Sequence, residues 1–596
     1  MSIPRHALSS FSSLSRLVSV FFSSAALCFG VLIAGSAVLS PIQVQAQGAT
    51  SPQAVLQQAN QMIFQGRAAE AITALESLTE SQPQLVPAWA TLGRAYSAAE
   101  RYDEAAHAYE RAHELSGGAP GLALPLGSAV AMTGNVDRAF ELLREAERSG
   151  RVDITSVGGM PGAAVLSADP RWAELMPSAE EFAHPFVEPM DILLDVHGET
   201  QGDVFGWIAR RIGDVDGDGV ADFTTNSNGL AQADDASSGA VSGSGSMRGR
   251  VYTYSSRTGE LLWSATGTAD GGRLGMGIEA AGDVNADGIP DVVAGAPFAG
   301  EVFVWSGSDG TQLHHFKPEN APGRFGSSVR GVGDINGDGY GDIVVGEPGG
   351  GNAPGRAHVF SGQDGSLLML LMGSQPGDQF GSTVHGGTNA SEAWILVGAP
   401  GHQGGGLAYL YKGVGSSPAF VLRPDAGAGR FGGMFMSVVG DVNADGTPDL
   451  YVADWADSST AQGVGKIYVF SGVDGSVLLR KAGEAAGDGF GIGVADTGDV
   501  NGDGHDDLLV GAWQHASAAV SGGKLYLLSG KDGELLASVT GNVPGETLGF
   551  DTTHVGDVDG DGHTDFLVTS AYSAVNGYRS GRVFILSGAS FRDLSQ

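Results

Sequence analysis

The chain has 596 residues, of which 67 are acidic and 32 basic, giving a formal net charge of −35. That balance argues against surfaces built for nucleic acid or anionic lipid, which need clustered Lys and Arg. Cys28 is the single cysteine, so the chain has no internal disulfide framework.

In chain order, residues 1–46 read as a secretory signal. Arg5 and Arg16 precede an apolar stretch from about Leu17 to Leu39, and Val44-Gln45-Ala46 fits a small-x-small cleavage site. The stretch is long enough for a retained anchor, but its serines, glycines and alanines favour cleavage. Cys28 lacks the preceding small residue of a lipoprotein site. The expected destination is secreted, periplasmic or cell-surface, with no membrane insertion after cleavage.

Over 51–150 the apolar period becomes helical. Ala71, Ala105 and Ala139 recur at intervals of 34, as do Gly93 and Gly127. Trp89, Leu92, Gly93, Tyr96, Ala105, Tyr109 and Ala112 stand at the offsets of a tetratricopeptide repeat, which the segment resembles. Three helix pairs are expected, the minimum for a stable solenoid. The resemblance implies a protein-docking module. Residues 151–190 contain Pro and Gly and read as a linker, with a short capping helix beginning near Asp169-Pro170-Arg171-Trp172.

The rest of the chain is dominated by six copies of Asp-x-Asp/Asn-x-Asp-Gly-x-x-Asp. Their acidic and amide positions are Asp214, Asp216, Asp218 and Asp222; Asp283, Asn285, Asp287 and Asp291; Asp334, Asn336, Asp338 and Asp342; Asp441, Asn443, Asp445 and Asp449; Asp499, Asn501, Asp503 and Asp507; and Asp557, Asp559, Asp561 and Asp565. Hard oxygen side chains at loop positions 1, 3, 5 and 9, with a turning Gly at position 6, suit Ca²⁺ rather than Zn²⁺. An EF-hand would add Glu at position 12 and then a helix. Here position 12 is Thr225, Ala294, Val345, Val452, Val510 or Val568, and aliphatic runs of strand length follow, such as Leu508-Leu509-Val510. About six structural Ca²⁺ sites are expected.

The loops begin at 214, 283, 334, 441, 499 and 557, and the gap between the third and fourth is about twice the others. A degenerate unit fills it, opened by Phe380-Gly381, closed by Val397-Gly398-Ala399-Pro400, and keeping only Glu392 of the acids. Each unit has a Phe-Gly-type opening, the Asp loop, a strand ending near Gly-Ala-Pro, a third strand, a Ser-Gly-x-Asp-Gly turn and a fourth strand. Seven such units predict a mainly β fold, a seven-bladed propeller over 191–596 behind the small all-α solenoid. Residues 203–588 resemble the FG-GAP propeller of integrin α-subunit head domains, including the calcium loops within the repeats. Departures are the acid-free fourth unit, the openings Leu274-Gly275 and Leu548-Gly549, and Asp454-Trp455 in place of Ala-Pro. The last unit is short of a fourth strand, and residues 191–197 are expected to supply it and close the ring.

Strand alternation places the Asp loops and Ser-Gly-x-Asp-Gly turns on one rim. The opposite rim carries Phe298, Trp455, Trp513, His515, Tyr572, Tyr578 and Arg579, all ligand-face candidates. For Trp455 and Trp513, packing between blades is an equal alternative. The long Ser/Gly/Ala-rich loop 226–248 belongs to the same rim. The resulting expectation is a non-catalytic, calcium-binding adhesion protein taking a protein or glycan ligand on that rim. The alternative is a calcium-dependent, lyase-like enzyme acting on polysaccharide. No nucleophile elbow, HExxH motif or His/Cys metal cluster is present in the sequence, and Arg324, Arg430 and Arg579 are only weak candidates for a lyase base.

Overall fold

Each full repeat carries an unbroken strand after its Asp loop, and these strands are buried along their whole length: Asp222–Ser227, Asp291–Ala296, Asp342–Glu347, Asp449–Asp454, Asp507–Ala512 and Asp565–Ser570. Side chains on both faces of such a strand must meet a neighbouring sheet. The computed structural model describes residues 51–595 apart from 230–246, 319–322, 351–352 and 390–391, all within one compact unit. The expected signal (1–46) and most of the 226–248 loop lie outside the described residues. Seven four-stranded antiparallel sheets form the propeller.

The Phe-Gly opening sets how closely blades approach. Phe325 is fully buried, and Gly326 has φ 87°. A Cβ on Gly326 would lie 2.8 Å from Val302 in the third strand of the preceding blade. Gly206 meets Val583 of the last blade in the same way, at 2.8 Å. Leu274 and Leu548 fill the Phe role and are equally buried.

Ring closure follows the expectation. Strand Ile192–His197 pairs antiparallel with Arg582–Leu586, giving the last blade its outer strand. Arg582 is buried and clasps Asp195 through two hydrogen bonds of 2.8 and 2.6 Å.

In the degenerate fourth blade, Val384–Asn389 and Glu392–Ala399 pair directly, with Asn389 opposite Glu392, so strand pairing extends through the place where other blades carry the Asp loop. Trp394 fills the space this leaves. A Cβ on Gly472 would lie 2.7 Å from its ring, where the matching glycines of other blades, Gly307, Gly362 and Gly530, meet the loop valines Val215, Val284 and Val442. The Lys412 ammonium stands 4.1 Å from the Trp394 ring centre.

In front of the propeller lie three helix pairs: Pro52–Phe64 with Ala68–Ser81, Val86–Ala98 with Tyr102–Leu115, and Pro120–Met132 with Val136–Arg148. Ala71, Ala105 and Ala139 are fully buried at the helix contacts. A Cβ on Gly93 would lie 2.7 Å from the Tyr109 ring, which is why that position stays small.

The stretch 151–190 is not a free linker. Contacts at an offset of 34 run on past the third pair: Arg94 with Asn60, Gly162 N–H to Ser128 Oγ at 2.9 Å, and Arg171 to Asp137 at 2.9 Å. Short helical turns at Ile154–Gly159, Ala163–Ser167, Trp172–Leu175 and Ala179–Ala183 thus continue the solenoid as a degenerate fourth unit. This unit docks on the last two blades. Gln201 Nε2 donates to Gly158 O at 3.1 Å, Arg582 to Phe182 O at 2.8 Å, and Val187 N–H to Thr540 O at 2.9 Å.

Candidate metal loops and ligand face

The inner strand of most blades breaks register just before its Asp loop, as at Arg211/Gly213 and His554/Gly556. Gly213, Gly282, Gly333, Gly498 and Gly556 take φ between 64° and 95° there, which only glycine adopts cheaply. The chain then wraps around the first Asp. In blade 1, Asp214 Oδ1 accepts from Gly217 N–H at 2.7 Å and Oδ2 from Gly219 N–H at 2.9 Å. The same wrap recurs around Asp334, Asp499 and Asp557.

The position-9 Asp is the anchor. It is fully buried in all six loops. Asp222 accepts from Val215 N–H at 2.8 Å and from Ser256 N–H at 3.1 Å, tying the loop to the hairpin of its own blade. Asp291, Asp342, Asp449 and Asp507 repeat this with Gly307, Gly362, Gly472 and Gly530, and in blade 7, which has no such hairpin, Asp565 accepts from Gly588 N–H at the start of the C-terminal helix Gly588–Ser595. Loop and hairpin therefore share a rim. Burial pushes the carboxyls of Asp222, Asp291, Asp449 and Asp507 up to about 6, and neighbouring acids add to it.

Two loops gather their acids most tightly. Carboxylate oxygens of Asp214, Asp216 and Asp218, and those of Asp557, Asp559 and Asp565, lie within 4.8 Å of one another. These all-oxygen sets fit a hard divalent cation. In the other four loops Asn stands at position 3; Asn285 and Asn336 donate to Asp287 and Asp338, leaving one oxygen as acceptor. The two four-carboxylate loops belong to blades 1 and 7, which flank the closing seam.

The opposite rim holds fewer accessible candidates than expected. Phe298 is 46% exposed, with the guanidinium groups of Arg273 and Arg324 at 5.3 and 5.5 Å from its ring centre. Trp455 is half-buried. Trp513 is 2% exposed and packs on Phe550 and Tyr572 at 5.3 and 5.7 Å. His515 and Tyr572 are also buried, and His515 Nδ1 faces Asp488 at 3.2 Å. These three are inter-blade packing, because the strand end that carries them turns inward. Tyr578 is covered by Gly158 and Gly159 of the helical segment, and Arg579 stacks on Tyr572 at 4.3 Å. The pair belongs to the seam between solenoid and propeller.

A charged group on the propeller axis escaped the sequence reading. Arg210, Glu279 and Arg330 each stand four residues before the first Asp of their loops, on the innermost strands. Arg210 pairs with Glu279 at 2.5 Å and with Asp551, and Glu279 also holds Arg330. The network links blades 7, 1, 2 and 3. Equal spacing from the loops was the signal that could have found it.

FG-GAP repeats match at 278–312, 325–360 and 551–586, FG-GAP-like repeats at 441–510 and 499–568, and a tetratricopeptide repeat at 86–119. The chain is 30% identical over 146 residues to integrin alpha-4 of Xenopus laevis, covering 22% of this chain and 14% of that protein. It is 36% identical over 116 residues to integrin alpha-5 of Xenopus laevis, covering 16% and 11%. Against integrin alpha-IIb of Mus musculus it is 30% identical over 197 residues, covering 30% and 18%. The similarity thus spans less than a fifth of each of these subunits.

Proposed function

We propose that this seven-bladed propeller of FG-GAP repeats, with tetratricopeptide-like helices in front, is a calcium-braced, non-catalytic binding protein of the adhesion type, working outside the cell or in its envelope. A protein or glycan ligand docks on the rim opposite the Asp loops, and the helical repeats offer a second surface to a protein partner. The observation that carries this reading is the division between rims. One rim repeats a single oxygen-donor loop six times, each anchored by a buried Asp. The other varies from blade to blade and exposes Phe298 between two arginines. The partial similarity to integrin α subunits supports adhesion over catalysis.

Calcium then acts as a brace. Extracellular calcium modules bind at about 10⁻⁴ to 10⁻³ M. At about millimolar calcium each site adds roughly 0.4–1.4 kcal/mol, and six add roughly 2–8 kcal/mol, against a typical net stability of about 5–15 kcal/mol. A cation would also offset the burial that raises the position-9 carboxyls.

The test is calcium titration of the chelated full-length protein with thermal unfolding in parallel, followed by a glycan and envelope-protein panel with and without calcium. Chelation is expected to lower the melting temperature by several degrees. An unchanged melting temperature removes the brace. Phe298→Ala is expected to lose ligand at unchanged melting temperature; retained binding moves the ligand elsewhere.

A further inference from the structure

Five of the six Asp loops are entered through a left-handed glycine and a shift of register, at Gly213, Gly282, Gly333, Gly498 and Gly556. Blade 5 is the exception. Its inner strand, Met436–Val439, pairs up to Asp449 in unbroken register, and Gly440 is not left-handed. Something other than a local turn aims Asp441, the first oxygen donor of this loop.

The contact comes from the next blade. Asp506 stands at position 8 of the blade 6 loop, where the other loops carry Ala221, Pro290, Gly341, Pro448 and Thr564. Its Oδ2 accepts from Asp441 N–H at 2.8 Å, and its own N–H donates to Asp441 O at 3.1 Å. His505 Nδ1 faces Val442 O at 2.8 Å. A Cβ on Gly440 would lie 2.0 Å from Asp506 Oδ2 and 3.0 Å from Asp496 Oδ1, so two carboxylates of blade 6 close around the entry to the blade 5 loop. Blades 2 and 3 share a backbone bond of this kind, Gly341 N–H to Asp283 O at 2.7 Å, but Gly341 has no side chain to add to it. Asp506 is fixed in turn by its neighbour Asp507, the buried anchor of the blade 6 loop, which accepts from Val500 and Gly530 N–H at 3.0 Å each.

We propose, resting on the calcium-braced reading above, that Asp506 positions the blade 5 loop and ties it to the blade 6 loop, so that the two take up calcium as one cooperative unit. Ordering either loop around a cation holds Asp506 and Asp441 together, and the other loop then has less freedom left to lose. The coupling is reciprocal, so whichever loop fills first favours its neighbour. The hydrogen bond to Asp441 N–H carries it. An Asn carbonyl at 506 can accept that bond, and Ala cannot.

A double-mutant cycle on the full-length protein tests this, reading the rise in melting temperature from chelator to about millimolar calcium. Asp445→Asn and Asp503→Asn weaken the blade 5 and blade 6 loops at exposed positions outside the tie. Together they are expected to lose clearly less of that rise than the sum of their single losses. Asp338→Asn with Asp503→Asn, in blades 3 and 6, is expected to lose the full sum. In an Asp506→Ala background the blade 5 and blade 6 losses are expected to add, and in Asp506→Asn to stay below the sum. Additive losses without a change at 506 or with Asp506→Asn, a blade 3 and 6 pair equally below the sum, or a shortfall that survives Asp506→Ala each overturn the coupling and leave calcium bracing intact. A melting temperature that calcium does not move removes the bracing and the coupling with it.

Discussion

Arg210 is the point through which four blades are tied together at the axis. Its guanidinium is almost out of water, and Asp551, at 1% exposure, depends on it for a counter-charge. Burial pushes the Asp551 carboxyl up to about 6 even with Arg210 opposing that rise. Removing one member of a buried pair leaves the other unpaired, at a cost of about 3–5 kcal/mol. Arg210→Met is expected to lose that much in urea unfolding, and a loss near zero would mean that water replaces the guanidinium. His385, in the loop-less blade, faces Arg330 and Arg210. Burial drives its pKa well below the ordinary 6.5, and both arginines add to the shift. The folded protein therefore refuses a proton that the unfolded chain accepts. The corresponding stability is whole above about pH 6.5 and falls away as pH drops toward the folded-state value. Between pH 7 and pH 5 the wild type is expected to lose more melting temperature than His385→Gln. Equal losses would place the acid sensitivity elsewhere.

At the scale of elements, the closing strand decides whether the ring holds. Deleting 188–198 removes the partner of Arg582–Leu586 and reopens an edge. The expected outcome is loss of cooperative unfolding and rapid limited proteolysis; an unchanged melting temperature would show that the ring closes without it. This strand was legible in the sequence, as were the six Asp loops, because each is a local pattern with a local cause. The degenerate fourth helical unit was not. It keeps only the Ala mark, at Ala173, 34 residues after Ala139, while Val157, Ala164 and Pro177 stand where Trp89, Tyr96 and Tyr109 stood; the 34-residue contacts of Ser128 with Gly162 and Asp137 with Arg171 make it plain. His515 and Tyr572 were misplaced for the complementary reason, and Trp513 took the inter-blade position that was its equal alternative. An aromatic at a strand end looks the same in sequence whether it points out to solvent or in between two blades, and the neighbouring sheet settles which. Phe298, four residues into the matching stretch of blade 2, does stay exposed.

At the scale of the whole molecule, solenoid and propeller are not beads on a string. The Tyr578 ring packs directly over Gly158 and Gly159; a Cβ at Gly159 would sit 2.2 Å from it. Phe182 O, Gln201 and Glu188 tie the same seam. The two parts are expected to melt in one calorimetric transition, and Tyr578→Ala is expected to lower or split it. Two well-separated transitions in the wild type would contradict the docking. The latch also imposes a timetable. Asp195 and Arg582 are 387 residues apart, so the first strand made is the last to find its partner. Blades 1 to 6 can pair their own hairpins as they are synthesised. At about 5–20 residues per second the strand 192–197 waits roughly 20–80 s, with its edge open to misassembly. A chain handled in the extended state during that interval, by a chaperone or a translocation channel, would be spared the hazard until its final blade exists.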